Sequence, residues 1–318
     1  MIHTATQLKA KIRNISKGED AKAKALIRIF FMERFLERVS LSKYRKNFIL
    51  KGGMLVASLL GVNMRATMDI DTTVKALPLN GEDAKRIITE ICNIPLEDGV
   101  TFRIKKVDTI MEDFDYSGVR LFIEASLEKM SNTIKIDIST DDVITPGAIE
   151  YAYKLMFEDR SIFVYTYNTE TLLAEKLQTI INRGLANTRL RDYYDLCKIT
   201  IYEKVDWSTL RAAFLATCKK RKTLFLNEKI VNEITLIEDD IEMKKRWNCF
   251  KNKNYFVGEL EWDMVMDSVN KLISKIIEEE IMFKKTVPVV LDIDQQKLKS
   301  AQMRYITYYK KIYWSVAQ

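Results

Sequence analysis

The stretch KGGMLVASLLGVNMRATMDIDTTV, Lys51–Val74, decides how this chain is read. Two glycines close a short apolar strand, NFILKGG. MLVASLLG then makes about two turns of helix and stops at Gly61. After Arg65 and Thr67 comes MDIDTTVK, β-branched and strictly alternating. Asp69, Asp71 and Thr73 point to one face, and Met68, Ile70 and Thr72 to the other. Two carboxylates at i and i+2 of a strand repel unless a cation sits between them. Magnesium suits such a pair, because it takes oxygen ligands and keeps water and substrate phosphates in its shell.

A third carboxylate on a neighbouring strand permits two-metal chemistry on a phosphoryl group. Asp137 is the candidate. Its segment KIDIS sets Ile134, Ile136 and Ile138 against Lys135, Asp137 and Ser139, which leaves Asp137 on a polar face. The glycine pair lets backbone N–H groups approach a triphosphate closely, and a helix starting near Met54 aims its N-terminus at the same anion. Arg65 and Thr67 supply further donors to phosphate oxygens. Each part taken singly has a plainer reading. D-x-D also occurs at solvated strand edges and in calcium loops, although the D-x-D-x-D-G of an EF-hand is missing. A P-loop is excluded, since no G-x-x-x-x-G-K-[ST] run exists.

Gly52-Gly53 followed by RATMDID resembles the first motif of the DNA polymerase β-type nucleotidyltransferases. In particular it resembles the AbiEii/AbiGii toxin family, with Gly53 where serine can stand. LLAEKLQTIINR resembles that family's lysine motif and contributes Lys176 and Arg183, seven residues apart and so on one helix face. RLRDYYDLCKI resembles its last motif, with Arg189, Arg191, Asp192 and Asp195. The alternative for the lysine motif is an ordinary polar helix face. For the two aspartates the alternatives are orienting Lys176 or Arg183, or acting as helix-start acids.

The resemblance implies a magnesium-dependent transfer of a nucleotide from an NTP, with attack by a hydroxyl on the α-phosphate and loss of pyrophosphate. In it Asp69, Asp71 and Asp137 hold the metal. Lys51, Gly52, Gly53, Arg65, Thr67, Lys176, Arg183 and Asp195 bind the nucleotide. Asp69, Asp71, Asp137, Lys176 and Asp192 form the catalytic set. The resemblance further implies the toxin of a toxin–antitoxin pair acting in phage abortive infection, with an RNA acceptor, the 3′ end of tRNA. A cognate antitoxin is the implied protein partner. Other readings are transfer to a small molecule of antibiotic type, transfer to a protein, and an inactive RNA- or partner-binding protein of the same fold.

The rest of the chain sets the frame. Its 318 residues suggest two domains, or one with a large appendage. With 47% hydrophobic and 30% charged residues a packed core is expected and disorder is not. Residues 19–40 read as an amphipathic helix and GEDAKRIITEIC as another. Strands follow in VTFRIKKVDTI, GVRLFIEASLE, NTIKIDIST, YAYKLMF and SIFVYTY, with turns expected at Ser117–Gly118 and Ser131–Asn132. From NTETLLAEKLQTIINRG onward the pattern is helical, including NEKIVNEITLIEDDIEMKKRW as one run. The expected class is α+β: a nucleotidyltransferase domain with a mixed sheet and flanking helices over 1–167, then a helical bundle domain over 168–318 that completes the cleft.

Cys92, Cys197, Cys218 and Cys249 show no C-x-x-C spacing, and the one histidine, His3, stands at an end expected to be mobile. That argues against a zinc site and against histidine acid–base chemistry. Reduced, partly buried thiols in a cytoplasmic protein are expected. The first twenty residues have no apolar core, and no run approaches 18 apolar residues, so neither a signal peptide nor a membrane span is expected. A net charge of +7 favours anionic partners, and the aromatic, basic tail MRYITYYKKIYWSVAQ suits RNA.

Overall fold

The computed structural model describes residues 1–77, 80–112, 116–140, 142–223 and 226–286. Residues 1–277 form one compact unit; the second unit, 278–318, is described only to Thr286, where it is helical. The tail MRYITYYKKIYWSVAQ lies outside the described residues.

Seven strands make one mixed sheet. They are β1 (Phe48–Lys51), β2 (Asp69–Val74), β3 (Val100–Glu112), β4 (Tyr116–Leu127), β5 (Met130–Thr140), β6 (Ile149–Lys154) and β7 (Ser161–Thr166). Their order is β3-β4-β5-β2-β1-β7-β6. The pairs β2–β5 and β1–β7 are parallel, and the others antiparallel. Alternation gives this sheet one apolar face, where Ile70, Leu121, Ile123, Ile134 and Ile136 are fully buried. The helices α2 (Asp20–Leu41) and α4 (Gly81–Cys92) pack on the sheet, α2 against β5 and β7 and α4 against β3.

The register then aligns charge on the other face. Lys51, Asp71, Asp137, Arg120 and Asp108 stand opposite one another in turn across five strands. The helices that follow the sheet are α5 (Thr169–Arg183), α6 (Leu190–Tyr202), α7 (Trp207–Lys220), α8 (Asn227–Asp239), α9 (Ile241–Lys253) and α10 (Trp262–Thr286). Among the described residues no helix is long and apolar enough to cross a membrane.

Several local expectations are corrected. The start of the chain forms α1 (Ala5–Ser16), where Thr4 and Gln7 make a reciprocal capping box. His3 donates its backbone N–H to Gln7 and Ile2 is buried, so this end is tied down. Ser117–Gly118 and Ser131–Asn132 are not turns but strand residues in β4 and β5. The second hairpin turns at Glu128–Lys129, with Glu128 in the left-handed region. The glycines do not end β1; they open α3 (Gly52–Leu60). The run from Asn227 is two helices, because Asp240 caps the Met243 N–H and starts α9.

Candidate active site

A cavity of about 840 Å³ lies over the charged face of the sheet, within the usual size for a ligand site. Lys51, Gly52, Gly53, Arg65, Thr67, Asp69, Asp71 and Asp137 line it from the sheet and α3. Lys176, Arg191 and Asp192 line it from α5 and α6.

The carboxylates meet because β2 and β5 are in parallel register, with Asp71 opposite Asp137 and Asp69 opposite Lys135. Burial, then the charges of Asp137 and Asp69, raise the Asp71 pKa; Lys51 and the Gly53 N–H work the other way. The Gly53 N–H donates to Asp71 Oδ2 at 3.3 Å. Gly52 has to be glycine here: its φ is +62°, and a Cβ would lie 2.1 Å from Asp71 Oδ2.

Two cations that sequence reasoning did not select hold these acids. Lys135 Nζ lies 2.7 Å from Asp69 Oδ2 and 3.6 Å from Asp137 Oδ2. Arg120 grips Asp137 through two bonds of 2.8 Å. Among the described residues no three His, Cys, Asp or Glu side chains are gathered as a metal cage. The chemistry of the donors nevertheless fits a hard divalent cation. All three are carboxylate oxygens, and their mutual repulsion is what such an ion relieves.

Opposite the sheet, Asp195 is wholly buried and binds two cations. Arg65 reaches it through Nε at 2.6 Å and NH2 at 3.1 Å, and Lys176 Nζ at 2.8 Å. Lys176 also contacts Asp192 Oδ1 at 2.5 Å. Burial opposes the charge on Lys176, but Asp192 and Asp195 together raise its pKa above the ordinary lysine range. Burial opposes the Asp195 charge too, and Arg65 and Lys176 outweigh it and lower its pKa. Asp195 does not itself line the cavity; it contacts Arg65 and Lys176, which do, as an orienting group.

Lys51 is similarly engaged, with Asp142 Oδ2 at 2.5 Å and Glu175 Oε2 at 4.0 Å. Ser139 donates to the same Asp142 oxygen at 2.6 Å. Neither Asp142 nor Glu175 was selected from the sequence. Arg183, like Asp195, is a selected residue that does not line the cavity, and it is exposed at the end of α5. On the helical side, α9 contributes Arg246, Cys249, Phe250 and Lys253, positions recurring at helical spacing and unmarked by any motif.

Comparison with known proteins follows the same lines. The family model for the nucleotidyl transferase AbiEii toxin of type IV toxin–antitoxin systems matches residues 34–269, more than half of the chain. The structure is similar to that of JHP933 from Helicobacter pylori, at 13% identity and a TM-score of 0.49. That match covers 83% of this chain and 96% of the other. A second H. pylori structure, provisionally described as a nucleotidyltransferase, is 14% identical with a TM-score of 0.44, covering 80% and 96%. No curated protein matches. With the family model spanning the glycine pair, the aspartates and both helical motifs, the chain belongs to the AbiEii family of type IV toxin–antitoxin systems and is a nucleotidyltransferase.

Proposed function

We propose that this nucleotidyltransferase moves a nucleoside monophosphate from a magnesium-bound NTP to the 3′ end of an RNA, with tRNA as the acceptor, and so acts as the toxin. The observation that carries the reading is the convergence of Asp69, Asp71 and Asp137 on adjacent strands facing a cavity whose far wall is basic. Asp69 and Asp71 would hold magnesium, with Asp137 as the third carboxylate. When bound, the ion supplies charge neutralisation at the phosphates and lowers the pKa of the attacking hydroxyl.

The chain's own groups do the rest. The amides of Gly52 and Gly53 and the Thr67 hydroxyl orient the polyphosphate. Lys176, held in place by Asp192 and Asp195, offsets charge developing on the departing pyrophosphate. Asp137, fixed by Arg120, lies on the β5 side of Asp71, away from the glycines that open α3 after β1, where an in-line nucleophile would stand. Arg189, Arg221, Arg246 and Lys253 around the cavity favour a polyanionic acceptor over a cationic antibiotic. The division into a catalytic part, 1–167, and a helical part, 168–318, belongs to this same reading, as does cytoplasmic action.

The test is incubation with magnesium, each α-labelled NTP, and whole-cell RNA, cell protein or aminoglycosides in separate reactions. Label on RNA, lost in Asp71→Asn, supports the reading; label on protein or antibiotic alone overturns the acceptor. Because burial and like charge raise the Asp71 pKa, its ionised form costs stability at neutral pH. The Asn variant should therefore melt no lower than the parent in the absence of metal.

A further inference from the structure

The cations of the cavity differ in what already neutralises them. Lys51 has Asp142, Arg65 has Asp195, and Lys176 has Asp192 and Asp195. Arg221 bonds Gln178 and Thr179 and lies 3.6 Å from Glu175. Arg246 donates to the Leu185 carbonyl, and Arg189 and Lys253 are exposed to solvent. Arg191 is unlike all of these. It lines the cavity, is only partly exposed, and makes no hydrogen bond or ion pair with a described residue.

Its surroundings make that state unfavourable. Burial first, and then the like charge of Arg65, pull its guanidinium below the ordinary arginine range, and Asp195 and Asp69 offset this only in part. A half-buried, unpaired guanidinium is a planar fork of donors, matched to two oxygens of a phosphate group. Arg191 lines the same cavity as Asp69, Asp71 and Asp137, and so borders the region where a metal-bound polyphosphate would lie.

We propose that Arg191 binds the triphosphate of the nucleotide substrate: among the described residues it is the half-buried cation of the cavity wall whose donor pair has no partner. Arg65 and Lys176, committed to Asp192 and Asp195, then contribute field and shape. The inference rests on the reading of this cavity as an NTP site, and its test separates the two.

Binding is measured by calorimetry on the full chain in excess magnesium. The probes are inorganic tripolyphosphate, each of the four NTPs, and the free nucleosides, against the parent, Arg191→Gln and Arg191→Lys. R191Q should lose about tenfold or more in affinity for tripolyphosphate and for the preferred NTP. R191K should recover part of it, and nucleoside binding should not change. Since Arg191 relieves no buried anion, unliganded R191Q should melt at or above the parent temperature. Equal tripolyphosphate affinity in parent and R191Q overturns the assignment while leaving the NTP site intact. So does a lower melting temperature in R191Q, which marks a structural role. A parent that binds neither tripolyphosphate nor any NTP overturns the reading of the cavity itself.

Discussion

Replacing Gly52 by alanine tests the claim that backbone geometry sets the position of Asp71. At φ +62° an L side chain costs about 1–2 kcal/mol, less the roughly 0.4–1 kcal/mol that alanine returns through the unfolded chain. The new Cβ would lie 2.1 Å from Asp71 Oδ2 and 2.7 Å from both Asp71 Cβ and Cγ. Rotating the carboxylate therefore does not relieve the clash; β2 has to shift as well. The charge-assisted bond from the Gly53 N–H is then lost, worth roughly 1.5–3 kcal/mol. The net expectation is destabilisation of about 2–4 kcal/mol. Displacing a reacting-centre ligand by about 1 Å also costs on the order of 100-fold in transfer rate. Denaturant midpoints and labelled-NTP turnover measure the two effects. Gly147→Ala is the control, because its Cβ would meet nothing within 4 Å and its φ is not positive. Wild-type stability and rate in G52A, or equal damage in G147A, would refute the reasoning.

Asp195→Asn strands Arg65 and Lys176 in a buried site, so a loss of about 3–5 kcal/mol is expected, well beyond that of Asp192→Asn at the cavity edge. Equal denaturation midpoints for the two variants would contradict this. Glu33 is buried on α2, where it accepts the Met156 N–H, and burial pushes its pKa from 4.5 up to about 8. A raised carboxyl pKa stabilises the fold fully below about 4.5, and that contribution is lost as pH climbs through about 8. Stability of the parent relative to Glu33→Gln should thus fall over that range, by up to ~5 kcal/mol; a flat difference would dispose of the idea.

Patterned features were legible in the sequence. The alternation in KIDIS put Asp137 on the polar face, and of the two caps that NTETLL offers α5, Thr169 and Asn168, the helix uses Asn168 and ends before Gly184. What escaped had no period to read. Arg120 meets Asp137 only through the β4–β5 register, and Asp142 and Glu175 are isolated acids whose partner Lys51 comes from a distant strand. Arg183 shows the converse error. A seven-residue spacing keeps the helical angle but moves roughly 10 Å along the axis, out of the cavity. The first helix carries its own signal in the sequence, T-x-x-Q, the capping box of Thr4 and Gln7.

The single carboxylate of Asp195 has a mechanical consequence. It sits on α6 and clasps Arg65, from the loop before β2, and Lys176, from α5. Lys176 and Asp195 both stand on the helical wall, so swinging that wall away from the sheet would break the Arg65–Asp195 contact and leave Arg65 bare in a poorly polarisable interior. One buried carboxylate thus rivets α6 to the loop that leads into β2, and any widening of the cavity mouth has to overcome that attachment.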